Sequence, residues 1–324
     1  MTAVESGQKP KAPTPAAGPA TAAAAGAATG AGPAPAAPAA PPAATPPPPP
    51  DGGAVASAIG VAVTLLAVLV LGFAGYLYFL SGVQEARAQT GMYATLKTEL
   101  GAATAPVGSP QAPVPGTPLA ILSIPVIGVH NEVVVQGTSP ENMTLGPGHL
   151  RDTPLPGDYG VSVLYGRRAS FGGPFAKVPE LKSGDRIKVT TGQGTATYVV
   201  RVVGDSAHRI LIDGAPNQLV LMTADSSLMP SHYIEVEANL VSTPQTNAGD
   251  LPGVTNTETA LANDPTSLIL TMAWGLALVA VAAAGTVAAS RWSRWPAYMV
   301  AIPIALAIVW NLYQSISALL PNLY

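Results

Sequence analysis

Apolar residues are distributed along this chain in two different ways. Residues 54–81, 267–290 and 297–320 are long apolar runs, each near or above the about 20 residues that a helix needs to cross the hydrocarbon of a bilayer. They predict three transmembrane α-helices. The span between the first and second carries only short runs: Ala120–Ile124, Glu132–Val135, Val161–Tyr165, Arg186–Thr190, Thr197–Val203, Gln218–Thr223 and Tyr233–Val241. Turn chemistry such as Ser183-Gly184-Asp185 and Thr191-Gly192-Gln193-Gly194 separates them. Short β-branched and aromatic runs between Gly-rich turns predict strands, and seven or eight of them without a long helix predict a barrel or sandwich. The mainly β domain is placed at residues 119–241.

The remaining segments have no periodicity. Residues 1–53 are almost wholly Ala, Pro, Gly and Thr; with no large side chains to bury, the ordering entropy is not offset, and a disordered Pro/Ala-rich tail is expected. Residues 82–118 read as a juxtamembrane segment, with a short helix over 84–99, followed by a Pro/Gly/Ala linker. Residues 242–266 read as a second linker.

Composition adds direction to this plan. Of the residues, 48% are hydrophobic and 10% charged, as in a membrane-associated chain. A net charge of −3 lacks the basic footprint of a nucleic-acid-binding protein. There are no cysteines, which excludes a disulfide, a thiolate metal site and a thiol nucleophile from this chain. The loop Ser290-Arg291-Trp292-Ser293-Arg294-Trp295-Pro296 joins the second and third apolar runs. Its arginines mark the cytoplasmic side. The β domain is therefore expected outside a plasma membrane crossed several times, with the N-terminal tail in the cytoplasm. The first run starts too far into the chain, and without a basic flank, to be a cleaved signal peptide.

Motifs in the β domain carry a resemblance. Leu122-Ser123-Ile124-Pro125-Val126-Ile127-Gly128, Gly146-Pro147-Gly148-His149, Pro156-Gly157-Asp158-Tyr159-Gly160, the stretch Val161–Phe175, Leu181-Lys182-Ser183-Gly184-Asp185 and Leu219-Val220-Leu221-Met222-Thr223 follow in order. Together they resemble the sortases, cysteine transpeptidases of Gram-positive cell surfaces, and among them the actinobacterial class E type. The resemblance implies a closed β-barrel of about eight strands and a site built from a cysteine, a histidine and an arginine. Those family positions fall here on Ala224, Arg167 and Tyr233, with His232 the alternative for the last.

A methyl group has no nucleophile, and a guanidinium does not release protons near neutral pH. The resemblance therefore implies a pseudo-sortase that binds, scaffolds or regulates at the cell envelope. Tyr165, Arg167, Arg168, Ala224, Asp225 and Tyr233 form the candidate cleft, with a peptide as candidate ligand and protein partners at the envelope. Arg167 is expected either to bind a carboxylate or phosphate in bidentate fashion or to fill the vacated space and pair with Asp225. Arg168, which matches an arginine following the family histidine, reads as a structural contact.

Two other classes compete with this reading. One is a transpeptidase or hydrolase built on Ser226 or Ser227 with His208 or His232 and Asp225 or Asp213. The other is a structural subunit held by the small-residue-rich helices. No cofactor is expected. His130, Glu132, Glu235 and Glu237 carry metal-ligating atoms, but a solvated strand face accounts for them equally, and no metal is assigned.

Overall fold

The computed structural model describes residues 52–107, 113–205, 217–226, 230–246, 251, 253–260 and 262–324. The Pro/Ala-rich tail expected at residues 1–53 lies outside them except for its last two residues.

Helix α1 (Gly52–Gly75) runs through one π turn (Tyr76–Leu80) directly into α2 (Ser81–Gly101). Sequence reading separates an apolar span from a short polar helix; the two are continuous. No proline lies between them, and Gly75 and Ser81 keep right-handed helical backbone. The Ser81 hydroxyl donates back to the Leu77 carbonyl, satisfying a group that the π turn leaves displaced.

Among the described residues eight strands follow: β1 (Pro118–Ile124), β2 (Val129–Gln136), β3 (Gly148–His149), β4 (Val161–Tyr165), β5 (Arg186–Thr191), β6 (Gly194–Asp205), β7 (Gln218–Ala224) and β8 (Tyr233–Leu240). They close into a barrel in the order β1-β2-β3-β4-β7-β8-β6-β5. Seven correspond to the runs read from the sequence. The short β3 carries no apolar alternation and is set by its neighbours, parallel to β2 and antiparallel to β4.

Alternate residues of each strand point inward. Leu122 and Ile124, Ile187 and Val189, Tyr198 and Val200, Leu219 and Leu221, and Val236 and Ala238 make one buried core. β7 is buried at all seven positions. Its other face, Val220, Met222 and Ala224, lies under a second apolar cluster outside the barrel. A strand covered on both faces reads as a continuous apolar run, which is what Leu219–Met222 is.

Helix α2 closes an open stretch of β2. The Gln89 amide donates to the carbonyls of Val133 (3.0 Å) and Leu145 (2.8 Å), and its oxygen accepts the Val133 N–H at 2.7 Å. One side chain thus replaces a ladder neighbour. Leu96 of α2 packs with Val133 and Ala105 beneath it.

Helices α3 (Ser267–Arg291) and α4 (Arg294–Ser317) form an antiparallel hairpin. A Cβ on Gly285 would lie 3.3 Å from that of Ala301, so small residues set the close approach. Together with the α1–α2 helix they make, among the described residues, three helices long and apolar enough to cross a membrane. Trp292 and Trp295, at the turn of the hairpin, are 90% and 80% exposed. At the barrel end, Tyr76 stacks edge-on to Trp310 (centroids 5.5 Å apart) and to Phe171 (6.5 Å), joining the π turn, α4 and the barrel.

Part of the stretch read as a second linker is docked. Arg151 Nε and Nη2 donate to the two carboxylate oxygens of Glu258 at 2.7 and 2.6 Å. Thr138 Oγ1 donates to the Glu258 carbonyl at 2.7 Å. Nothing in the local Thr- and Asn-rich composition signals this, because the partner lies far away in sequence.

Replacing Gln89 by Leu leaves a buried N–H and two carbonyls without partners, at a cost of about 2–3 kcal/mol. In the full chain in detergent, the Val133 amide of Gln89→Leu should exchange with solvent deuterium at least tenfold faster than in the parent, with β7 amides unchanged. Equal protection at Val133 would show that Gln89 does not hold the strand.

Candidate functional site

The site positions read from sequence meet at one end of the barrel. β4 and β7 run parallel with Leu164 opposite Leu221 and Tyr165 opposite Met222. Ala224, the last residue of β7, pairs with Tyr233, the first of β8. His232 lies outside β8, so strand register puts Tyr233 opposite Ala224. Tyr165, Ala224 and Tyr233 belong to one apolar cluster with Met143, Met222 and Leu323.

The exit of β4 is tightly constrained. The Gly166 N–H donates to the Met222 carbonyl at 3.0 Å, and a Cβ on Gly166 would fall inside the Phe175 ring. Phe171 then takes φ +49°, and Gly172 and Gly173 take φ +74° and +55°. This left-handed run is costly for Phe171 and free for the glycines. It returns the chain so that the Phe175 N–H donates to the Arg167 carbonyl at 3.1 Å.

The turn buries the Arg167 side chain completely. Nε donates to the Met143 carbonyl (3.1 Å), Nη1 to Ser170 Oγ (3.2 Å) and Nη2 to the Pro140 carbonyl (3.1 Å). The Phe171 ring lies over the guanidinium with its centroid 4.9 Å from Cζ. Burial pulls the Arg167 pKa down to about 10, so the group is charged at neutral pH. Two expectations change here. Arg167 is spent on the protein's own acceptors rather than open to a ligand, and it is not paired with Asp225. Asp225 instead accepts from the Ser231 N–H (3.2 Å) and Oγ (3.3 Å), just ahead of β8.

Arg168 is the arginine that bridges. Its Nη1 donates to the Ala224 carbonyl at 2.8 Å and its N–H to the Leu323 carbonyl at 3.0 Å. Ser170 Oγ donates to the Tyr324 carbonyl at 2.7 Å. Segment 321–324 has no motif that announces this role, and neither do the carbonyls of Pro140 and Met143; only the fold brings them here.

The serine-based alternative draws partly on His208, Asp213 and Ser227, which lie outside the described residues. Among those described, His232 Nδ1 is 3.0 Å from Ser231 Oγ and 3.8 Å from Asp225 Oδ2. Hydroxyl and carboxylate face the same ring nitrogen. A relay needs them on opposite nitrogens, so that one orients the ring while the other gives up a proton. The residues weighed as cation ligands are dispersed: Glu237 pairs with Arg201 at 2.6 Å, while Glu132 lies on β2 beside α2, its pKa raised mainly by burial.

His149 reads as a turn residue and is found buried in β3, its ring nitrogens 3.0 Å from Gln136 Oε1 and 2.9 Å from the Pro154 carbonyl. Burial lowers its pKa to about 4, against a hydrogen bond to Pro154 that works the other way.

This barrel, with its convergent strand ends, is a sortase-like fold. Residues 122–240 match the family model described as the sortase domain. The chain is 30% identical over 115 residues to sortase D of Bacillus subtilis strain 168, a match covering 34% of this chain and 56% of that relative's length. Similar solved structures include a Clostridium perfringens sortase D5 transpeptidase, at 18% identity over 48% of this chain and 99% of that one with a TM-score of 0.40. Sortase E from Streptomyces avermitilis is similar at 31% identity over 40% and 91%, with a TM-score of 0.35.

Two outcomes follow from this geometry. Arg167→Met removes the donors of three buried acceptors and should destabilise the full chain by about 3 kcal/mol. Arg167→Lys should recover less than half of that, since one ammonium does not span them; thermal midpoints in detergent measure both. Second, a histidine with a depressed folded pKa contributes stability above its unfolded value near 6.5, lost as pH falls through about 4. The thermal midpoint of the parent should therefore fall more steeply between pH 6.5 and 4 than that of His149→Gln. Parallel curves would show that His149 is not the titrating group.

Proposed function

We propose that this chain is a membrane-anchored sortase-like protein, nearest the class E type by its motifs, that acts without catalysis at the outer face of the plasma membrane. Its role is to bind, scaffold or regulate partners through the 119–241 domain, with a peptide as ligand. One observation carries this reading: the last position of β7, opposite Tyr233, is Ala224. No atom there can attack a carbonyl. The neighbouring Arg167 holds its protons and has its nitrogens engaged, which leaves no general acid–base at the histidine position.

The orientation has support of its own. Asp264, just before α3, donates its N–H to the Ala318 carbonyl, just after α4, at 3.1 Å. The two ends of the hairpin therefore meet, and Leu323, just past α4, is buried with Val220, Met222 and Ala224 of β7, so the Arg291–Arg294 loop lies at the end away from the barrel. With those arginines on the cytoplasmic side, the barrel is extracytoplasmic.

The test is turnover. The full chain in detergent, incubated with a sorting-signal peptide and an amine acceptor, should give product at the uncatalysed rate and take up no fluorophosphonate. Product above that rate, or labelling abolished by Ser226→Ala or Ser227→Ala, would sink the non-catalytic reading.

A further inference from the structure

The apolar cluster around Ala224 is filled by the chain itself. Past α4, Pro321–Tyr324 form a tight turn in which the Tyr324 N–H donates to the Pro321 carbonyl at 3.0 Å. Leu323 is fully buried among Met143, Tyr165, Val220, Met222 and Ala224. Its carbonyl takes the Arg168 N–H, and the Tyr324 carbonyl takes the Ser170 hydroxyl. Asn322, also fully buried, donates from its amide to the carbonyls of Thr257 (2.7 Å) and Thr259 (3.0 Å).

We propose that the end of the barrel around Ala224 is a receptor site for a peptide turn with a leucine-sized apolar side chain, and that residues 321–324 are its resident ligand in cis. A peptide from another protein then binds only by displacing them. This occupancy rests on the peptide-binding reading above and not on the absence of catalysis.

Two features point to an exchangeable occupant rather than permanent core. The barrel addresses this segment through main-chain carbonyls and one apolar pocket, which any peptide of suitable shape can offer. The segment follows α4 by a few residues, so it competes at an effective concentration on the order of mM. A ligand in trans faces that competition in the intact chain and not in one lacking the segment.

The absence of cysteine makes a direct test available. In the full chain with Ala224→Cys, reconstituted in nanodiscs, the new thiol should be protected from a small maleimide. Deleting residues 321–324 should raise its labelling rate at least tenfold, and a synthetic peptide of residues 318–324 should restore protection. Asn322→Ala, the milder change should the deletion fail to fold, should raise the rate two- to fivefold. A thiol at the exposed Tyr159 position, Tyr159→Cys, should label equally in every background. Rates at position 224 within twofold of one another with and without the segment, or in the parent and Asn322→Ala, would overturn the proposal. So would failure of the peptide to protect the truncated chain.

Discussion

One buried positive charge organises this end of the molecule. A guanidinium removed from water loses solvation worth far more than any single hydrogen bond returns. It persists inside a protein only where acceptors are already held for it. Arg167 finds them in the Met143 and Pro140 carbonyls and in Ser170 Oγ, with the Phe171 ring above. The requirement runs in both directions. The segment 140–143 has its place because its carbonyls face the arginine, and the loop 166–175 turns tightly because the side chain must point inward. Substituting any residue that titrates near neutral pH would remove the permanent charge on which this arrangement rests.

From that charge the contacts extend outward in two directions. Through Ser170 they reach Tyr324, and through Arg168 they reach both Leu323 and the end of β7. Through Phe171 they reach Tyr76 and Trp310, where the π turn and α4 meet the barrel. The loop that ends β4 is thus shared by the Ala224 site, the segment past α4 and the helices. Residues 321–324 therefore rest on the same loop that packs against Tyr76, which in turn meets Trp310 of α4.

The barrel is also fastened to its neighbours more firmly than its flanking composition suggests. Gln89 stands in for a strand residue along β2, and Glu258 is clamped by Arg151. Each fastening is polar and directional, and each satisfies groups that would otherwise be buried without partners. They fix where the barrel lies relative to α2 and to the approach to α3, whereas apolar contact alone would permit sliding.

Much of this was legible in the chain itself. The long apolar runs read as helices, the form in which one segment satisfies its own backbone in lipid, and all three are helical. Period-two patterning between Gly turns dictates strands, and the order of motifs dictates the barrel. That the family's nucleophile and base positions fall on Ala224 and Arg167 is what the resemblance in the motifs implies. What the sequence did not carry is who meets whom across distance. Arg167 looked available to a ligand or to Asp225, and its true partners are main-chain carbonyls, which every residue possesses and none advertises. β3 and the docked 253–260 stretch lack periodic apolar signal because neighbouring elements hold them. The seat of Leu323 beside Ala224 joins residues about 100 positions apart in the numbering. Only closure of the barrel and the return of α4 to its rim bring them together.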